Sequence, residues 1–566
     1  MKSKKILSII LALVLIATLG LSACKKTDSN NAGNTTTTPA PSPPTNNQGG
    51  GSGAASPADI VKDALDYVAK VHSERNPGGT STKDTLVFAA PVDPGKIMLD
   101  SLLDHSMYPF ATMCVEHLVR FDYTKWEYTA PVCSSYDVDA DYNGVTFHIK
   151  PGVMMNDGNT LSAQDIITSI LAFRKHCGLA HHLAFIDLDN SKIVDELTLY
   201  LRFYKPTCTW DADITMLTLY SSKAYNALNG DESFFQNPVG PMAYYVHEWV
   251  PGDHITVVRN ENYHLGTPPI KYVTMRIISD WTAAFMALQL GELDLLAALS
   301  AEQVRAVYAS DKLRQVTLGE NMVIYLGMNS GNKALSDFRV RQAIFMAVNR
   351  QDIIDGAFDG LAYPAHSILS REAIGYDTAW DTKSSFPPYD IARAKELMKE
   401  AGYGNGLTLR VLSEASPNFQ LTVEQLAAQL SEIGITLQPE LTDFGSVMAK
   451  ITNPDVSGYD FYLHVAQVSD DGVATLDNPM LYGASHPELS ADGSGVGMKE
   501  LWNKVRSTPG VENRASVYRE AHNYFFEKGL YWLPIAVNQS YTGLQPNLTG
   551  IRRNGFLLYY EGAYFK

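Results

Sequence analysis

Between Leu407 and Leu437 the hydrophobic period of the chain changes twice. Leu407, Leu409 and Val411 alternate with polar residues as in a half-buried strand. Val423, Leu426, Ala427 and Leu430 then recur at helical spacing, and Gly434 leads into a second extended run, Ile435 to Leu437. Strand, helix and strand this close in sequence pack as a parallel pair with a right-handed crossover, which puts the body in the α/β class. With 566 residues the chain has room for two or three domains and a large apolar core. Its five cysteines include no Cys-x-x-Cys pair, so neither a disulfide scaffold nor a zinc ribbon is expected.

Other segments read the same way. Leu86-Val87-Phe88 suits a first strand, and Val145 to Lys150 alternates until Pro151-Gly152 ends it. Ser162 followed by Asp165 predicts a helix start in which the hydroxyl accepts an early backbone N–H, with Ile166, Ile170 and Phe173 on one face. Val340, Ala343, Ile344, Ala347 and Val348 mark an amphipathic helix behind Asp337, with Arg339, Arg341 and Arg350 off its stripe. Ala394, Leu397, Met398 and Ala401 mark another, closed by Gly402. Ile60, Ala64, Tyr67, Val68 and Val71 give a short extra helix ahead of the first strand.

The N-terminus carries an address. Lys2, Lys4 and Lys5 precede an apolar run from Ile6 to Leu19, the layout of a secretory signal peptide covering residues 1–23. A transmembrane anchor is the rival reading, since the run is nearly long enough to span a bilayer. Leu21-Ser22-Ala23-Cys24 favours export: the quartet resembles the bacterial lipobox, which makes Cys24 the lipidated first residue of the mature chain. From Cys24 to about residue 57, Thr, Asn, Pro, Gly and Ser dominate, and the segment reads as a flexible tether. The expected location is therefore extracytoplasmic, at the bacterial membrane.

Chemistry that would identify an enzyme is missing. There is no Gly-x-Ser-x-Gly elbow, His-Glu-x-x-His helix or phosphate loop, and Met498 replaces the last glycine a dinucleotide fingerprint would need after Gly493. His176, Cys177, His181 and His182 could hold a metal or form a polar turn, and the turn is the preferred reading. With 45 Lys plus Arg against 61 Asp plus Glu, the net charge of −16 gives no surface for nucleic acid. No cofactor is called for.

Several stretches, in order, resemble one family: the large solute-binding proteins of bacterial ABC importers, with oligopeptide-, dipeptide- and nickel-binding members. They are VTFHIKPGVMMNDGNTLSAQDII from Val145, NPVGPMAYYVHEWVPGD from Asn237, VVRNENYHLGTPPIKYVTMRII from Val257 with Gly291-Glu292-Leu293-Asp294 after it, YLGMNS from Tyr325, DFRVRQAIFMAVNRQDII from Asp337 and YDIARAKELMKEAGY from Tyr389. The resemblance covers about residues 84–566. It implies a two-lobed, periplasmic-binding-protein-like α/β fold with an extra subdomain and a hinged cleft. Carried onto this chain, lobe one uses 84–119, 218–325 and 535–566, the extra subdomain 120–217, and lobe two 326–534. The crossings then fall near Tyr325 to Ser330 and Leu533 to Val537.

The resemblance also implies a function without catalysis: a monomeric receptor that captures a solute, a peptide first of all, and delivers it to an ABC permease. Carbohydrate or metal-chelate capture and ligand presentation to a membrane sensor are the alternatives, with an extracellular hydrolase behind them. In peptide-binding relatives a Trp and then an Asp follow the cleft strand, the Asp holding the peptide ammonium. Here Ala466 stands near the Trp position and Ser469 nearest the Asp, with Asp470 and Asp471 just beyond. Met242 stands where the family commonly has glycine. Candidate ligand contacts are Tyr108, Tyr325, Asn329, His464, Gln467, Asp470 and Asp471. Tyr244 and Tyr462 are read as core, and Asn329 equally suits a turn.

Overall fold

The computed structural model describes residues 56–566 except 75, 77, 103–104, 123–124, 126, 318–321, 372, 383–385, 443, 452, 454, 468–495 and 555–556. Cys24 and the tether therefore lie outside the described residues.

Three sheets organise the chain, and the class is mixed α/β. A seven-stranded sheet runs in the order Arg314–Thr317, Tyr541–Leu544, Leu295–Leu296, Thr85–Ala90, Tyr272–Ile277, His254–Arg259, Tyr244–Val250. Thr85–Ala90 pairs in parallel with both of its neighbours, and the other pairings are antiparallel. A six-stranded sheet runs Tyr363–Pro364, Trp532–Asn538, Met322–Met328, Phe461–Gln467, Leu407–Glu414, Ile435–Thr442. The third, of four strands, is built from Cys133–Val138, Gly144–Ile149, Thr198–Phe203 and Ile186–Asp195.

The local expectations mostly hold. Leu407–Glu414 and Ile435–Thr442 are parallel, in register from Leu407 opposite Ile435, with helix Pro417–Ser431 between them. Helix Ile391–Glu400 buries Ala394, Leu397 and Met398, and Gly402 follows with φ +90°, a conformation glycine adopts freely. Ser162 and Asp165 form the capping box that starts their helix, the Ser162 backbone N–H and hydroxyl also donating to the Asp165 carboxylate at 2.8 and 2.6 Å. Arg341 is different. It is only 3% exposed, donating to the carbonyls of Gly529, Leu335 and Ser336 under the Tyr531 ring. Carbonyls that no sequence pattern marks make a charged residue a core residue here.

The crossings between the two large sheets lie elsewhere than near Tyr325 and Leu533. The chain leaves the seven-stranded sheet after Thr317 and joins the six-stranded one at Met322; it returns between Asn538 and Tyr541. Tyr325 and Leu533 to Val537 are interior strand residues, and an unbroken apolar run carries no mark of where it changes sheets. The apolar side chains of the seven-stranded sheet enter one core around Phe88, Phe110, Tyr244 and Met275, and Ala89 and Leu296 enter a second with Leu288 and Val307. Those of the four- and six-stranded sheets belong to one larger cluster, from Phe147 and Trp210 to Tyr325 and Trp532.

Candidate functional site

Strand Met322–Met328 is the middle of the aromatic cluster nearest the crossings. Tyr325 faces His464 on one neighbouring strand and Pro534 on the other, while Gly327 faces Tyr462 and Trp532. Strand side chains alternate, so residues 325 and 327 and their opposites share one face. There the Tyr325 ring stacks on Trp532 at 4.3 Å and 22°, with His464 edge-on at 6.1 Å and Tyr462 at 6.0 Å. Trp532 Nε1 donates to the Tyr462 hydroxyl at 2.8 Å. Gly327 permits this: a Cβ there would lie 2.1 Å from the Tyr462 ring. Tyr325 is fully buried and His464 nearly so. Burial pulls the His464 pKa down to about 4, so the imidazole is neutral at pH 7.

The other candidates are dispersed. The Asn329 amide donates to the carbonyls of Val456 and Tyr459, both at 2.9 Å, and accepts from the Gly331 N–H at 3.0 Å. That is the turn-backbone role. Tyr108 opens helix Tyr108–Cys114 inside the separate core of the seven-stranded sheet, away from the Tyr325 group. Tyr244 is core as well, its hydroxyl donating to the Ile270 carbonyl, and Met242 is buried beside it. Of Gln467 only the backbone pairing with Met322 is described. Ser469, Asp470 and Asp471 lie outside the described residues.

The described side chains of the histidine-rich turn, which leave out that of His181, do not converge. His176 Nε2 meets the Tyr225 hydroxyl at 3.0 Å and the Gly230 carbonyl at 3.1 Å, while burial pushes the Cys177 thiol up to about 12. His182 Nδ1 lies 3.9 Å from Asp213 Oδ1. Among the described residues no group of three or more His, Cys, Asp or Glu side chains could hold a metal ion.

A seam without any sequence motif lies elsewhere. Helices Val496–Ser507 and Val511–Tyr524, which precede the six-stranded sheet's strand Trp532–Asn538, meet the segment that follows the four-stranded sheet. Arg506 Nη1 reaches the buried Asp213 carboxylate at 3.1 Å, and the Arg506 carbonyl accepts from the Cys208 N–H at 2.8 Å. Arg514, 1% exposed, donates to the Cys208 carbonyl at 2.8 Å. Beside these contacts His182, Ala184, Phe185, Tyr204, Lys205 and Arg506 line a cleft of about 340 Å³. The only hint in the sequence is an aromatic at Tyr204, 65% exposed in the structure, next to a lysine. Among the described residues neither place pairs a nucleophile with a base.

The profile of the bacterial extracellular solute-binding proteins, family 5 (middle region), matches residues 127–483, more than half of the chain. A glutathione-binding protein, GsiB, of Pectobacterium atrosepticum is 26% identical over 431 residues, 74% of this chain and 82% of that one. Heme-binding protein A of Haemophilus influenzae is 22% identical over 516 residues, 84% and 91% of the two chains. Among solved structures, the periplasmic binding protein DppA of Helicobacter pylori, in complex with the peptide STSA, superposes with a TM-score of 0.72 at 20% identity, covering 88% of this chain and 99% of that one. The profile match, with the fold it shares, makes this chain a member of the family 5 bacterial extracellular solute-binding proteins of ABC transporters, a binding receptor and not an enzyme.

Proposed function

We propose that the protein is a lipid-tethered receptor that closes over a peptide outside the cell and hands it to an ABC permease. The observation that carries this reading is the connectivity of the two large sheets. The seven-stranded body is linked covalently to the six-stranded body only through the segments between Thr317 and Met322 and between Asn538 and Tyr541. Two short connections make a hinge about which the two large sheets can rotate to open a cleft. In this reading lobe one comprises about 84–119, 218–317 and 541–566, lobe two 322–538, and the extra subdomain 120–217, whose apolar side chains share a cluster with lobe two, packs against lobe two. The Tyr325, His464 and Trp532 face backs the joint and stiffens it.

Peptide is the preferred solute because one relative is named for glutathione and another was solved with a peptide. Asp470 and Asp471 supply carboxylates for its ammonium group. A desolvated carboxylate there needs such a partner, as does a desolvated ammonium. Cys24 carries the lipid, and residues 25–55 give the reach.

Native mass spectrometry tests these points together. The protein is extracted from a bacterial host in detergent and sprayed without refolding. A diacylglyceryl-modified mass beginning at Cys24 and a bound species that sequences as peptide are expected. A co-purified solute without peptide bonds overturns the ligand class, and an unlipidated N-terminus overturns the tether.

A further inference from the structure

Helix Pro57–Ser73 belongs to neither large sheet, and its position is informative. Its C-terminal half is fixed to the seven-stranded body. Val68 and Val71 enter that sheet's core, and Glu74, the C-cap, pairs with Lys566 at 2.7 Å and accepts from the Thr549 hydroxyl. Its N-terminal half meets both bodies at once. Ile60, Val61 and Ala64 share one buried cluster with Val304 and Tyr541 of the seven-stranded body and Leu361 of the six-stranded body, and Tyr363 packs against it. The first helical residue, Pro57, sits so close to Gly360 that a Cβ there would lie 2.9 Å from its ring. Ser56 and Asp59 form a capping box that starts the helix at this point. Alongside, Arg305 of helix Ala301–Tyr308 pairs with Asp359 and donates to its carbonyl at 2.8 Å.

Tyr541 is the first residue after one crossing, and Tyr363 pairs with Val537 just before it. The bridging cluster therefore lies directly over the joint. We propose that helix Pro57–Ser73 is a brace: anchored on the seven-stranded body, it presses its first two turns against the six-stranded body and limits how far the two swing apart. This goes beyond the receptor reading but rests on its hinge. Cantilevered contacts near a rotation axis move little in distance yet must slide or break when the angle grows, so apolar burial there sets the stop.

The test uses spin labels on the exposed Thr282→Cys and Lys395→Cys, one on each body, and pulsed dipolar distances in the otherwise intact chain. The protein is measured as purified and after its solute is stripped in urea and it is refolded. Ile60→Ala on the helix and Leu361→Ala on the other body should each raise the long-distance population of the stripped protein about five- to thirtyfold, the usual consequence of losing one such contact. Val71→Ala, in the anchored half, should lower thermal stability and leave the distances alone. Leu361→Ala decides the matter if Ile60→Ala loosens the whole helix. A solute-dependent distance in the unmodified brace, with no response to either substitution, overturns the brace alone. One unvarying distance in every sample overturns the hinge and the brace with it.

Discussion

At the scale of single residues, burial decides roles that residue type leaves open. His464 and His522 are both buried, and burial lowers their pKa values to about 4 and about 3. His522 is stacked 3.7 Å from Trp380. An unfolded histidine titrates near 6.5, so between that pH and the folded pKa the unfolded chain binds more protons. Stability contributed by these neutral rings is complete above about pH 6.5 and is lost as the pH falls toward 4 and 3. His522→Phe keeps the stack and removes one titration. The difference in unfolding free energy between pH 7 and pH 4.5, from urea melts, should shrink by on the order of 2–3 kcal/mol in that variant. An unchanged difference would mean that His522 is protonated in the fold. Carboxylates titrate equally in both proteins and cancel. The sequence offered Asn329 as either ligand contact or turn former, and only the distant Val456 and Tyr459 carbonyls decide between them. Partners so far along the chain leave no local trace.

At the scale of elements, period and caps were legible because they depend on neighbours within a few residues. The parallel unit from Leu407 to Thr442, the helix after Ser162 and the Gly402 stop all follow from such patterns. Strand-to-strand fit was not legible. Nothing about Gly327 in the sequence announces that Tyr462 will lie across it. Gly327→Ala should push that ring off its bond to Trp532 and destabilise the six-stranded sheet by about 1–3 kcal/mol. Tyr462→Leu in the same chain should recover part of the loss, because it removes the other half of the clash. Strictly additive urea-melt values for the two substitutions would contradict the overlap. Arg341 teaches the complementary lesson: helical spacing assigned it to the surface, whereas carbonyls and the Tyr531 ring hold it inside.

At the scale of the whole molecule, the sheets assemble from pieces hundreds of residues apart, and the sequence disclosed that only through the resemblance to a family. Even then the crossings were displaced into strands, since an apolar run looks alike on either side of a joint. The seam of Arg506 and Arg514 with Cys208, Asp211 and Asp213 joins the 120–217 and 322–538 segments, and the proposed closure is where it would matter. Arg506→Gln removes the cation facing a buried carboxylate, so the closed form loses most. Stopped-flow release of the co-purifying solute should accelerate about tenfold, with the association rate nearly unchanged. Equal release rates would place the seam outside the moving interface. The seven-stranded sheet has a further consequence for the order of assembly. Its strand Tyr541–Leu544, close to the C-terminus, is inserted between Arg314–Thr317 and Leu295–Leu296. Such pairing has a high contact order and waits for residues 541–544. A polypeptide that emerges N-terminus first through a pore therefore holds the edges of Leu295–Leu296 and Arg314–Thr317 unpaired on the far side until that strand has come through.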